Sequence, residues 1–153
     1  MADVLTEEVI YQKSPQELTS LLYEVLIDHL RAAAEEVEKK KYLPANRKLQ
    51  KANDILYRLG AGLNYEAGII ADQLDALYNY MAERLIAANV KKDAEEIRHV
   101  LSIAERIAGA WNEAMKTKPD GTRDGFRKLA SAYEQNVMVL DQDINAGKEG
   151  KYR

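Results

Sequence analysis

The 153-residue sequence contains no cysteine, only three prolines and only two histidines. The lack of cysteine excludes a disulfide framework, thiolate chemistry and a zinc site of the cysteine type. Apolar residues make up 46% of the chain and charged residues 31%, which together with few prolines is typical of a soluble helical protein. The length suits a single domain with a substantial core.

The sequence also lacks an excess of positive charge. Its net charge is −3, and lysines and arginines are interspersed with acidic residues, so no basic face is predicted for a phosphate backbone and nucleic acid is not an expected partner. The N-terminus has no signal pattern, and no apolar run approaches the length of a membrane span. These features predict a cytoplasmic protein without membrane insertion.

Residues with catalytic or metal-binding chemistry are few. Glu96 and His99 have the spacing of a di-metal ligand pair, but a second pair is missing because Leu26 lies three residues before His29. Glu96 is better explained as a residue of a helix start. No phosphate-binding loop or activated serine is recognisable. The sequence therefore gives no argument for an enzyme or for a cofactor. A metal-binding oxidoreductase is a remote alternative that metal analysis would test.

Helix signals divide most of the chain into four helices. Ser14-Pro15-Gln16-Glu17 is a capping box with proline at the first helical position, and this helix should run to about Lys40. Pro44 marks a second start. A third helix should span about 69–88 and end at Asn89, and Asp93 should cap a fourth. Short connections predict an all-α, antiparallel up-down four-helix bundle.

A different organisation follows the fourth helix. Residues 119–125 contain a proline and two glycines and are predicted to be a linker, and residues 126–145 have the spacing of an additional amphipathic helix. The expected domains are a bundle with a short N-terminal arm at 1–118, the linker, this C-terminal helix, and a disordered tail at 146–153. The C-terminal helix could cover a binding groove, pack elsewhere on the bundle or mediate a dimer.

Several apolar residues lie beside the predicted core-facing positions rather than on them. They are Leu21, Ile55, Tyr57, Tyr80 and Ile86. A disordered partner loses conformational entropy on binding and must bury an apolar strip to compensate. These residues are therefore the preferred candidates for a partner-binding surface.

Three stretches, followed by Trp111, carry a resemblance to a known family. They are Ser14–Leu18 with Leu21–Glu24, Leu49–Leu59, and Gly68–Met81 with Arg84, Leu85, Ala88 and Asn89. In this order and at these separations they resemble the FliS family, the cytoplasmic chaperones of flagellin. That family usually has a longer N-terminal arm with a tyrosine, and Leu5, Ile10 or Tyr11 are the residues that could substitute for it here.

The resemblance implies an antiparallel four-helix bundle without enzymatic activity. Its expected partner is the disordered C-terminal segment of flagellin, which would wrap around the bundle and become partly helical. Binding would prevent premature polymerisation and assist delivery to the type III export gate. Further partners that it allows are the export gate and a regulator of flagellin, with the chain as a monomer or weak dimer. The alternative function is a helical dimerisation or adaptor module.

The candidate residues for the flagellin groove combine the resemblance with the helical spacing. They are Ile10, Tyr11, Leu18, Leu21, Leu22, Asn53, Ile55, Tyr57, Leu59, Tyr78, Tyr80, Ile86 and Asn89. Asn53 and Asn89 are expected to bond the backbone of the partner.

Overall fold

A computed structural model describes residues 14–64, 66 and 68–117. The predicted N-terminal arm, linker, C-terminal helix and tail lie outside the described residues. Within them the chain forms four helices and no strand: α1 (Pro15–Glu38), α2 (Tyr42–Ala61), α3 (Ile69–Lys91) and α4 (Ala94–Thr117). The prediction of an all-helical protein is confirmed. None of the helices in this part of the chain is both long and apolar enough to cross a membrane.

The start of α1 is the predicted capping box. The Glu17 backbone N–H donates to Ser14 Oγ at 3.1 Å, and the Ser14 backbone N–H donates to Glu17 Oε1 at 3.0 Å. Both bonds satisfy donors that a helix leaves unpaired at its first turn. Pro15 occupies the first helical position, where its missing N–H has no consequence.

Three helix ends differ from the prediction. α1 ends at Glu38, α2 begins two residues before Pro44, and α3 continues past Asn89 to Lys91. Lys40 and Lys92 have left-handed backbone conformations, with φ of 61° and 56°. A left-handed residue after a helix redirects the chain, a position usually occupied by glycine or asparagine. The sequence prediction failed there because lysine is not a recognised stop signal.

Successive helices are antiparallel. α1 packs on α2 and α4, and α3 packs on α2 and α4, so the four helices close a ring. Along α1 and α4 the contacts run in opposite order: Trp111 Nε1 donates to Ser20 Oγ at 2.8 Å, while Arg98 pairs with Glu38 at 2.7 Å. The short connections at 39–41 and 92–93 therefore lie at the same end of the bundle.

The core lies between all four helices. Its largest completely enclosed side chains are Leu26, Leu30, Leu49, Leu56, Met81, Leu85, Ile97, Val100 and Ile103. Burial of each such side chain contributes about 1.5–3 kcal/mol relative to exposure, so these residues dominate the stability of the bundle. On α3, the residues that face the core include Leu77, Tyr78, Met81 and Leu85, all of which are buried.

Candidate functional site

A groove runs between α2 and α3 on the outside of the bundle. It contains a cavity of about 370 Å³. The lining residues come from both helices and are Asn53, Leu56, Tyr57, Gly60, Ala61, Asp75, Tyr78, Asn79 and Ala82. We call this cavity and the exposed surface that continues it toward residues 43 and 90 the α2–α3 groove.

Small residues keep the cavity open. A Cβ atom at Gly60 would lie 3.6 Å from Asp75 Oδ1 and 4.0 Å from Tyr78 Cδ2. These are ordinary contact distances, so the glycine relieves no clash and instead leaves room for another atom. On the facing helix, Ala82 is the smallest lining side chain of α3. Side chains of this size allow a partner to approach the helix backbones closely.

Large apolar side chains are exposed along the groove. Tyr57 is 78% exposed beside the cavity, and Ile86 is 57% exposed one turn beyond Ala82. Farther along the same face, Val90 is 78% exposed on α3 and Leu43 is 61% exposed at the start of α2. Ala82, Ile86 and Val90 are four residues apart and therefore lie on one side of the helix. The groove thus presents four large apolar side chains, spaced along its length, which we call the apolar strip.

The floor of the cavity is a buried aromatic cluster. Tyr78 is buried, and its hydroxyl forms a 2.7 Å hydrogen bond with the hydroxyl of Tyr23. Burial raises the pKa of Tyr23 to about 12, an effect that the hydrogen bond to Tyr78 partly opposes. The Tyr23 ring meets Trp111 edge to face, with centroids 6.3 Å apart. These contacts join α1, α3 and α4 directly beneath the groove.

The predicted site residues are distributed unequally. Asn53, Tyr57 and Tyr78 line the cavity, and Ile86 lies on the same face. Two others lie on α1, half-buried against the core: Leu18 and Leu21. Ile10 and Tyr11 lie outside the described residues.

Asn89 lies near the other end of the groove. Its Nδ2 donates to Asn46 Oδ1, and its Oδ1 accepts from Lys92 Nζ at 2.9 Å. These two bonds fix Asn89 within the bundle. To contact the backbone of the partner, as expected from the sequence, the Asn89 amide would have to share or give up these bonds.

Four of the predicted residues belong to the core rather than to a surface. They are Leu22, Ile55, Leu59 and Tyr80, with exposed fractions of 5%, 2%, 5% and 6%. The expectation that Ile55 and Tyr80 lie outside the core is wrong. α2 and α3 each contact two neighbouring helices, and each therefore buries a wider arc than a single seam. Tyr80 lies against α4, where its hydroxyl is 3.2 Å from His99 Nε2.

Glu96, one of the two residues of the possible metal motif, lies in the first turn of α4. Asp93 Oδ1 accepts from the backbone N–H groups of Glu95 and Glu96, at 3.1 and 3.2 Å, and caps the helix as expected. The Glu96 carboxylate accepts from Arg84 Nε at 2.8 Å, while His99 contacts Tyr80. Across residues 14–64, 66 and 68–117, no group of three or more histidine, aspartate or glutamate side chains could hold a metal ion.

Sequence reasoning missed most residues that line the cavity, and it also missed two that extend the groove. Asp75 and Asn79 line the cavity, and Leu43 and Val90 extend its apolar strip. The four-residue spacing from Ala82 through Val90 was a usable signal. A third helix that ends at Asn89, as the sequence predicts, places Val90 in a connection, and this hides the spacing.

Comparison with known proteins places the described bundle in a family context. A family model described as Flagellar protein FliS matches residues 3–118. The Flagellar secretion chaperone FliS of Salmonella typhimurium is 34% identical over 114 residues, covering 73% of this chain and 84% of the relative. That of Bacillus subtilis is 31% identical over 105 residues, covering 69% and 78%, and that of Escherichia coli 28% over 116 residues, covering 74% and 85%. All four helices fall within the family match.

Proposed function

The chain belongs to the FliS family of flagellar secretion chaperones, and from this premise we propose that it binds the C-terminal segment of flagellin in the α2–α3 groove. Its relatives are named as chaperones of flagellar secretion, and the family is not an enzymatic one. Its role in flagellin export is therefore that of a chaperone.

The observation that carries the choice of site is the exposed apolar strip. Tyr57, Ile86, Val90 and Leu43 are each more than half exposed along one groove. Large contiguous apolar surface is uncommon on soluble monomers and marks interaction sites. A disordered segment that folds on binding needs this kind of surface, because apolar burial must offset the entropy that the segment loses.

Polar side chains at the cavity can form hydrogen bonds that fix how a segment lies in the mostly apolar groove. Asn53 and Asn79 each carry an amide with both donors and acceptors, and Asp75 adds a carboxylate. Such groups can bond backbone N–H and C=O groups of a bound segment. Few polar groups in a mostly apolar groove are the usual arrangement for fixing the register of a ligand.

Sequestration in the groove accounts for the chaperone role. A flagellin segment held against α2 and α3 is unavailable for assembly with other flagellin molecules. The complex would form in the cytoplasm and deliver flagellin to the type III export gate. The gate and a regulator of flagellin are proposed as further partners, with the chain acting as a monomer or weak dimer.

The proposed function is tested by calorimetric titration of the full chain with the C-terminal segment of flagellin from the same organism. We expect one-to-one binding by a segment of about 40 residues, with a large negative heat-capacity change and an increase in helical circular dichroism. A scrambled peptide of the same composition is the control.

Absence of binding both by the full chain and by a chain lacking residues 120–153 would contradict the proposal. Both results are required because a full chain whose own C-terminal residues cover the groove would fail to bind even if the proposal is right. The mass of the unliganded chain in solution would then test the alternative of a dimerisation or adaptor module.

A further inference from the structure

The two ends of the α2–α3 groove differ in charge. At one end the connection before α2 supplies Lys39, Lys40 and Lys41, and the end of α3 supplies Lys91 and Lys92. The two connections are neighbours in space, since Lys92 Nζ lies 5.5 Å from the centroid of the Tyr42 ring. We call these five residues the lysine end of the groove.

The charges of the lysine end are not neutralised locally. Lys39, Lys40, Lys41 and Lys91 are exposed, and none of the five forms an ion pair within the described part of the chain. The first turn of α2 contains no acidic residue. The positive potential at this end is therefore available to a ligand.

Nearby acidic residues are largely engaged with other groups. Glu36 pairs with Lys48 at 2.6 Å, and Glu38 pairs with Arg98 at 2.7 Å. Asp93 uses its carboxylate to cap α4. Glu35 and Glu95 are exposed on α1 and α4, neither of which lines the cavity.

The opposite end of the groove is acidic. Asp75 lines the cavity there, Asp72 is exposed one turn earlier on α3, and Glu66 is exposed in the connection that precedes α3. On α2, Asp54 and Arg58 are exposed and carry opposite charges. We call Glu66, Asp72 and Asp75 the acidic end of the groove.

The distance between the two ends of the groove is larger than the Debye length at physiological salt. Gly60 and Leu43 are about 17 residues apart on α2, a distance of roughly 26 Å along the helix. The Debye length at physiological salt is about 8 Å. A segment lying in the groove would therefore interact with each end separately, and its energy would depend on which of its own ends lies at which end of the groove.

We infer that this charge asymmetry sets the direction in which the flagellin segment binds, with its acidic residues at the lysine end beside Leu43 and Val90. Neutral or basic residues of the segment lie beside Asp75. The apolar strip supplies affinity in either direction, whereas charge complementarity distinguishes the two directions. This inference rests on the proposed function and adds a specificity to the same groove.

Cross-linking tests the direction. The chain has no native cysteine, so Val90→Cys and Ala61→Cys each introduce a unique site for a photoreactive thiol reagent, one at either end of the groove. We expect the reagent on Val90→Cys to label the more acidic half of the bound flagellin segment and that on Ala61→Cys to label the other half. The reverse pattern, or labelling of both halves by both reagents, would overturn the inference.

Charge removal tests the cause. We expect Lys41→Gln with Lys91→Gln to weaken binding of the flagellin segment about 3- to 10-fold at low salt, and the difference to shrink at high salt. The matched control is Arg106→Gln with Lys116→Gln, which removes two exposed cations from α4 and should change affinity less than about twofold. Equal effects of the two pairs of substitutions would overturn the charge mechanism.

Failure of this inference can be distinguished from failure of the proposed function. If the wild-type chain does not bind the segment at all, both fail. If it binds normally but without dependence on charge or direction, the inference alone is overturned.

Discussion

At Tyr57 an aromatic ring lies almost entirely in solvent on a helix whose neighbouring positions are enclosed. Its exposed fraction is 78%, while those of Ile55 and Leu56 are 2%. The ring contributes little to the folded state because it is hardly removed from water. A tyrosine at this position has the size, rigidity and mixed polarity of residues that dominate protein interfaces.

We predict that Tyr57→Ala weakens binding of the flagellin segment about 10-fold, which corresponds to about 1.4 kcal/mol. The free energy of unfolding should change by less than about 0.5 kcal/mol, because the side chain is exposed. Calorimetry and urea denaturation measure the two quantities. Ile69→Ala is the matched control, since Ile69 is 72% exposed at the start of α3 but does not line the cavity. An equal loss of affinity in both variants would contradict the role of the groove.

The buried Tyr23 hydroxyl predicts a dependence of stability on alkaline pH. Its pKa in the folded protein is raised to about 12, mainly by burial, whereas an exposed tyrosine titrates near about 10. The stabilising contribution is therefore complete below about pH 10 and is lost as the pH rises through about 12. Between these values the unfolded chain releases its proton first, so the folded state becomes less favourable.

We predict that the wild-type chain loses about 2–3 kcal/mol more stability than Tyr23→Phe when the pH rises from about 9 to about 12. Denaturation by urea over this range measures the difference, and comparison of the two chains cancels the titration of exposed lysines and tyrosines. Parallel curves for the two chains would show that Tyr23 does not couple its ionisation to folding.

At the scale of the helices, lysine occupies unusual positions at two ends. Lys40 follows α1 with φ of 61°, and Lys92 follows α3 with φ of 56°. A side chain with a Cβ atom in this conformation costs about 1 kcal/mol or more relative to glycine. Lys92 gains a hydrogen bond to Asn89 and a contact with the Tyr42 ring in return.

We predict that Lys40→Gly raises the free energy of unfolding by about 1 kcal/mol, because glycine adopts positive φ without strain. Lys39→Gly is the control, since Lys39 has φ of −87°, and it should lower stability by about 0.5–1 kcal/mol through added freedom of the unfolded chain. Urea denaturation distinguishes the two. A loss of stability in both variants would mean that backbone strain at Lys40 is negligible.

At the scale of the whole molecule, the question is whether another part of the chain covers the groove in the absence of flagellin. The sequence predicts an amphipathic helix at 126–145 joined by the linker at 119–125, both outside the described residues. We propose that this helix occupies the α2–α3 groove and is displaced by flagellin. Packing elsewhere on the bundle and formation of a dimer are the two alternatives.

We predict that deletion of residues 120–153 tightens binding of the flagellin segment. If the cover occupies the groove about 90% of the time, the gain is about 10-fold, because apparent affinity scales with the fraction of open groove. Calorimetry of the two chains measures it. Unchanged affinity would exclude the cover. A change from the mass of a dimer to the mass of a monomer on deletion would favour the dimer.

Local signals in the sequence predicted the helices well. The capping box at Ser14 and the cap at Asp93 depend only on residues within three positions, and both formed as expected. The ends of α1 and α3 were misplaced because a lysine in the left-handed conformation carries no local signal. The site was only partly predictable: Asn53, Tyr57 and Tyr78 line the cavity, but Ile55 and Tyr80 are in the core.

What the sequence by itself determined is the set of helices and the family, because capping, helical spacing and ordered motifs are properties of neighbouring residues. What only the tertiary structure decided is which faces remain exposed. Ile55 and Tyr57 both lie beside the predicted seam of α2, yet one is enclosed and the other is in solvent, because burial depends on where α1 and α3 lie around the helix. The lysine end likewise exists only in the folded bundle, which brings residues 39–41 beside residues 91 and 92.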